Sequence, residues 1–234
     1  MAPAENLLNQ FLEIEKEVVD CRACPRLVAW RETIAAGKTR RFRDHDYWGL
    51  PVPALGLPDA RLLVVGLAPA AHGGNRTGRM FTGDRSGDWL FAALHEHGFA
   101  NQRESTDRSD GLRLIDCLIT AAVRCAPPDN RPLPGELANC RRYLERGLKL
   151  LPSVRVVIAL GRIGFEAYLK ALPPAGRPGP PRPTFAHAAE RTLPGPVTLI
   201  ASYHPSQQNT LTGRLTREMF HSVFERARRI LDEA

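Results

Sequence analysis

No stretch of the 234-residue chain approaches the ~20 consecutive apolar residues that cross a bilayer, which excludes a spanning helix. Its opening, MAPAENLLNQFLEIEKEVVD, lacks the basic start and apolar centre of a secretory signal; it is acidic and amphipathic. A cytoplasmic, reducing setting is therefore expected. There the five cysteines serve as metal ligands, redox groups or core residues rather than as disulfides. Internal repeats are absent. So are G-x-G-x-x-G and the P-loop pattern, which leaves a nucleotide-binding enzyme of the doubly wound type little to rest on.

What is present is enough apolar material, 43% of residues, for one sizeable core, and a single domain over 1–234 is expected. The net charge of +7 favours a polyanionic partner, nucleic acid or an anionic membrane surface; a solvated basic face is the plainer alternative. Apolar residues at helical spacing predict a helix over 5–19. RLLVVGLA (61–68), LIDCLITAAV (114–123), VRVVIALG (154–161) and VTLIASYH (197–204) are short, near-continuous apolar runs, as parallel strands covered on both faces require. Helices are predicted between and after them, starting at Ser86, after Pro134, at Arg162 and near Leu215. The alternation predicts a three-layer α/β/α fold around a mostly parallel sheet. PPAGRPGPPRPT (173–184) reads as a stiff surface loop.

Ligands of open parallel sheets bind outside the carboxyl ends of the strands. Four unusual segments fall there: 66–84, RCAPPDNRP (124–132), GR (161–162) and YHPSQQNTLTGR (203–214). Their convergence predicts a cleft with Asp84, Asn130, His204 and Asn209 as its polar groups. Glycines 73, 74 and 78 would let a ligand approach the backbone and its N–H groups.

Cys21 and Cys24 form a C-x-x-C after an amphipathic helix, the wrong context for a thioredoxin-like pair. With Cys125 and Cys140 they could make a four-thiolate site that staples the N-terminal helix and C-x-x-C segment, about 1–45, to the body. Zinc, an iron–sulfur cluster and unpaired structural thiols are the open readings. Cys117, inside an apolar strand, is a core residue.

GLAPAAHGGNRTGRMFTGD (66–84), AAVRCAPPDN, SYHPSQQNTLTGRLTREMF and CRACPRLVAWRE, in that spatial logic and over about residues 21–220, resemble the type B, or family five, branch of the uracil-DNA glycosylase superfamily. The resemblance implies a DNA-repair glycosylase with a four-stranded parallel sheet. It also implies a structural [4Fe–4S] cluster on Cys21, Cys24, Cys125 and Cys140. Such an enzyme flips a nucleotide into a pocket, passes through a cationic sugar and expels the base as an anion. By the resemblance, Asp84 orients the attacking water and stabilises the sugar, with helix capping as its alternative role. His204 donates to the departing base, and Asn130 bonds the base edge or the water, or is a turn residue. Gly66, Ala68, Gly73, Phe81 and Asn209 would hold the base, Phe81 by stacking or else as core filling beneath the loop. Ser206, Gln207, Gln208 and the residues through Leu211 would form the wedge on the DNA. Arg214 and Arg217 would contact phosphates, and segment 22–43, with seven Lys or Arg and one acid, would make a second backbone contact.

Other branches carry an acid or amide in the first motif; here GLAPA has Leu67 and Ala68, the type B pattern. The small Ala68 predicts a roomier pocket and excision of other deaminated bases such as hypoxanthine as well as uracil. The missing acid keeps open a second class, a catalytically weak module that binds damaged or abasic DNA. The expected partner is DNA containing such bases, with no membrane, and the chain is expected to act as a monomer.

Overall fold

The computed structural model describes residues 3–181 and 183–233. Residues 1, 2 and 234 of the expected domain, and Arg182 of the proline-rich loop, lie outside the described residues. In chain order the elements are α1 (Pro3–Val19), α2 (Pro25–Gly37), β1 (Leu62–Gly66), α3 (Gly74–Thr77), α4 (Arg85–Glu96), β2 (Cys117–Ala121) and α5 (Pro134–Leu148). They continue with β3 (Val156–Leu160), α6 (Gly161–Ala171), β4 (Glu190–Thr192), β5 (Thr198–Ser202), α7 (Gln207–Leu211) and α8 (Arg217–Asp232). Among the described residues no helix is long and apolar enough to cross a membrane.

The sheet order is β2-β1-β3-β5-β4. β1, β2, β3 and β5 run parallel, with Val64 opposite Ile119 and Ile158, and Ile158 opposite Ile200. These are the four strands the apolar runs predict, each a few residues shorter at its ends. The expected four-stranded sheet needs one correction: β4 adds a fifth strand, antiparallel to β5. Its three residues, Glu-Arg-Thr, are all exposed, so no apolar pattern marks it. A turn closed by Leu193 N–H to Val197 C=O brings it to the sheet edge.

Side chains of each parallel strand alternate between two cores, which is what makes three layers. Leu62, Val64, Ile119 and Ile158 face α4 and α8, with Leu90, Phe91, Phe220 and Phe224. Leu63, Val65, Val157 and Ala159 face the other way, toward Phe165 and Tyr168 of α6 and Phe11 of α1. Cys117 is buried in the first core, as expected.

Local chemistry sets the helix ends. The Asp84 carboxylate accepts from Gly87 N–H at 3.0 Å and starts α4. Glu136 Oε2 accepts from Leu133 N–H at 2.7 Å behind Pro134, and Thr216 Oγ1 accepts from Met219 N–H at 3.2 Å. α2 escapes the sequence pattern because its buried face mixes Leu27 and Val28 with Arg31, so the apolar periodicity is broken by a charged residue.

The N-terminal helices are tied to the body by ion pairs. Glu15 meets Arg124 at 2.7 Å with both side chains buried, and its other oxygen accepts from Ala54 N–H. Arg26 forms a two-pronged pair with Glu136, both contacts at 2.8 Å.

Candidate active site and cysteine pocket

Because the four parallel strands share one direction, the loops after β1, β2, β3 and β5 all leave the same edge of the sheet. β1 is flanked by β2 on one side and β3 on the other, the switch point where open α/β sheets hold ligands. The loops build two neighbouring hollows there rather than the single slot the sequence predicts. A cleft of about 630 Å³ takes Gly73 and Asp84 from the first loop, Asn130 from the second and Gln207 from the fourth. A second hollow of about 330 Å³ takes Gly161 and Arg162 from the third loop and His204, Asn209 and Arg214 from the fourth.

Phe81 links them. It lies three residues before Asp84, and its ring stacks against His204 with centroids 6.1 Å apart and planes at 27°. A Cβ on Gly66 would lie 2.7 Å from that ring, so only glycine at the end of β1 admits it. Phe81 itself holds φ +56°, a conformation that costs a bulky side chain strain. Only 7% of the residue is exposed. The core-filling role foreseen as its alternative is thus real, and the ring face toward His204 is what it adds.

Asp84 shows the same doubling. One carboxylate oxygen caps α4; the other points at Gly73 in the cleft wall, so closely that any Cβ there would collide with it. Burial pushes the Asp84 carboxyl above the usual aspartate range, opposed by N–H groups of Gly87 and Ser86. His204 is pushed the other way, down to about 4, by burial alone, so its imidazole is neutral at ordinary pH. A Cβ on Gly161, which holds φ +80°, would come within 3.2 Å of the His204 Cβ.

Several expectations need correction. The glycines of loop 66–84 make room for protein, not ligand: Gly74 admits Pro69, and Gly78 admits the Trp48 ring. The N–H groups of residues 73 and 75–78 are occupied within the α3 turn. Gly66 C=O accepts from Ala122 N–H, which takes it away from a base. Asn209 donates its side-chain N–H to His204 C=O at 2.8 Å, so it braces the histidine's backbone. Ala68 lines neither hollow. Ser206 is the N-cap residue of α7, Gln207 and Gln208 start it, and Leu211 at its end is an apolar side chain 68% exposed. Arg214 stacks on Tyr203 and Arg217 on Trp89.

Loop 66–84 is also stiffer than its polar sequence suggests. Arg79 is buried and bonds Asp110 at 2.6 Å, Ser105 Oγ at 2.7 Å and Thr82 Oγ1 at 2.9 Å. Burial alone would raise the Asp110 carboxyl, but Arg79 and the N–H groups of Leu112, Thr106 and Asp107 bring it down to about 2.

The sequence reading missed five cleft residues: His45, Arg85 and Asp88 in the first turn of α4, and Ser105 and Thr106 from the loop before β2. Arg41 and Phe42 fall within the basic segment already singled out. Phe42 carries Arg41 and Arg76 against its ring, at 5.0 and 4.1 Å.

All four cysteines named for a metal site line one cavity, between the end of α1, the start of α2, the loop after β2 and α5. Each sulfur has an N–H donor: Arg142 for Cys21, Asn139 for Cys24, Arg31 for Cys125 and the Arg124 backbone for Cys140, at 3.4–3.8 Å. Arg31 is fully buried, its nearest carboxylate is 3.8 Å away and its Nε has no partner. A buried cation so placed calls for negative sulfur beside it. A single tetrahedral zinc holds thiolates about 3.8 Å apart. Among the described residues, no three of these sulfurs lie within 4.8 Å of one another. The sulfurs are thus spread wider than a single tetrahedral ion holds its ligands.

A family model described as "Uracil DNA glycosylase superfamily" matches residues 53–228. The chain is 54% identical over 212 residues to a Type-5 uracil-DNA glycosylase of Thermus thermophilus, covering 90% of this chain and 93% of the relative. It is 51% identical over 223 residues to a Type-5 uracil-DNA glycosylase of Mycobacterium bovis, covering 95% and 82%. A Type-5 uracil-DNA glycosylase of Mycobacterium leprae is 49% identical over 219 residues, covering 93% and 94%.

Proposed function

We propose that this chain, which belongs to the uracil-DNA glycosylase superfamily, hydrolyses the N-glycosidic bond of uracil in DNA and leaves an abasic site. What supports the residue roles is that the stretch from Phe81 to Asp84 carries both a ring stacked on His204 and a carboxylate lining the cleft, with the His204 imidazole lining the neighbouring hollow. An everted nucleoside would lie across both hollows, with its sugar toward Asp84 and its base against Phe81 and His204. The free oxygen of Asp84 would orient water and face the positive charge that develops on the sugar. His204, neutral and braced by Asn209, would donate an N–H to the base oxygen as negative charge moves there. Asn130, on the cleft rim at φ +55°, would bond the water or the base edge.

Exposed Leu211, with Ser206, Gln207 and Gln208 before it, would fill the gap left in the duplex, while Arg214 and the basic segment 22–43 hold phosphates. Leu67 and Ala68 leave the first motif without an acid or amide, and hypoxanthine is proposed as a further substrate. The four cysteines would hold a [4Fe–4S] cluster; when bound it supplies a structural cross-link, not a step in hydrolysis. In this reading residues 1–45 and the rest form one domain in the cytoplasm, and one copy of the chain suffices.

The test is incubation with a uracil-containing duplex followed by hot alkali. Strand breakage at the uracil is expected, and breakage at hypoxanthine in a matched duplex. Binding without breakage would instead support the weak binding module.

A further inference from the structure

Five buried side-chain nitrogen or oxygen atoms lack a hydrogen-bond partner among the described residues. Three belong to Trp30, Arg31 and Asn75, beside the cleft and the cysteine pocket. The other two, His97 Nε2 and His221 Nδ1, fall together elsewhere, where α4 ends against the start of α8. Such orphans are uncommon in folded proteins and ask for an explanation.

Glu96 is the last residue of α4 and His97 its C-cap; His221 is in the second turn of α8. The two imidazole rings are 5.6 Å apart, and Glu96 Oε1 lies 3.4 Å from His221 Nδ1 without making a hydrogen bond. One ligand atom from each of the three residues falls within 4.8 Å of the others. The histidines are held in place from outside: His97 C=O accepts from Arg228 Nε at 3.0 Å, and Phe220, next to His221, packs edge-on against Trp89 of α4. Two imidazoles and one carboxylate are the donor set of a borderline divalent ion, not of magnesium or calcium, which take oxygen.

We propose that Glu96, His97 and His221 form a second metal site, separate from the cysteine pocket, that takes a divalent transition ion of the zinc type. The ion pins the end of α4 to α8. α4 runs 12 residues, about 18 Å, from its cap at Asp84 to this end, so the pin steadies the helix that carries Asp84 and takes no part in the chemistry.

The test uses the full chain with its cysteine-bound cluster intact, freed of loosely held ions and titrated with Zn²⁺ and, separately, with Co²⁺. One equivalent is expected to bind beyond the cluster. Cobalt should show visible d–d bands without a thiolate charge-transfer band. At a hundredfold excess of zinc over Kd, Tm should rise by about 5–10 °C. His221→Ala should weaken zinc binding at least about tenfold, and so should Glu96→Gln, whose exposed side chain leaves folding unaffected. No uptake, a thiolate band, or unchanged affinity in Glu96→Gln would overturn the site.

Discussion

Asp84 and His204 are both half-buried, and burial moves their pKa values in opposite directions. Burial raises the Asp84 carboxyl, with the Asp88 charge adding to it, while two backbone N–H groups and Arg76 oppose the rise. The imidazole of His204 has only burial acting on it and stays uncharged to about pH 4. The first lines the wider cleft, the second the smaller hollow. In the proposed reading the first would face the cationic sugar and the second would donate to the departing base, so the contrast shows how burial can set two groups of one site to different tasks.

Breaking the Asp84 side should have the largest effect. Asp84→Asn should cut the single-turnover rate of uracil excision at least ~10²-fold while leaving Tm nearly unchanged, since asparagine caps a helix about as well. Asp84→Ala should lose both, with about 1 kcal/mol of stability gone. A near-normal rate in Asp84→Asn would reduce Asp84 to a cap.

On the other side, His204→Ala should also lower the rate at least ~10²-fold. The wild-type rate should show no break near the ordinary histidine pKa of about 6.5, because the imidazole protonates only near 4. The acid limb should instead report the raised Asp84 carboxyl. An acid limb that persists unchanged in Asp84→Asn would place the charge on the wrong residue.

The glycines sharpen the comparison without touching either group. Gly73→Ala should drive the Asp84 oxygen from the cleft and Gly161→Ala should press on His204, each lowering the rate by about tenfold. Gly135→Ala, where a Cβ would meet nothing, is the control and should leave the rate intact.

The smallest effect concerns the scaffold under loop 66–84. Asp110 has its folded-state pKa lowered to about 2, so its contribution is present above the unfolded value and is lost as pH falls from about 4 toward 2. About 2 kcal/mol of stability should disappear over that window in urea melts, and Asp110→Asn should abolish the dependence.

The four parallel strands were legible because strands covered on both faces must be apolar throughout, and Leu62–Val65 or Val156–Leu160 have no other plausible use. β4 was not, since an edge strand needs no buried face. α2 was hidden by buried Arg31, whose place depends on Cys125, ninety-four residues away. In the site, residue types at the strand ends pointed to Asp84, Asn130 and His204. What no local pattern could show is that the glycines serve Phe81, Asp84, Pro69 and Trp48, since those approaches exist only after folding. Ser105 and Thr106 escaped for the same reason: Arg79 draws their loop into the wall.

The most direct measurement is a crystal structure with a duplex carrying 2′-fluoro-2′-deoxyuridine, which resists cleavage. An everted nucleotide should span both hollows, its sugar carbon facing Asp84 Oδ2 and a base oxygen about 2.6–3.2 Å from an imidazole nitrogen of His204. A base lodged wholly in one hollow, with either Asp84 or His204 out of reach, would contradict the account.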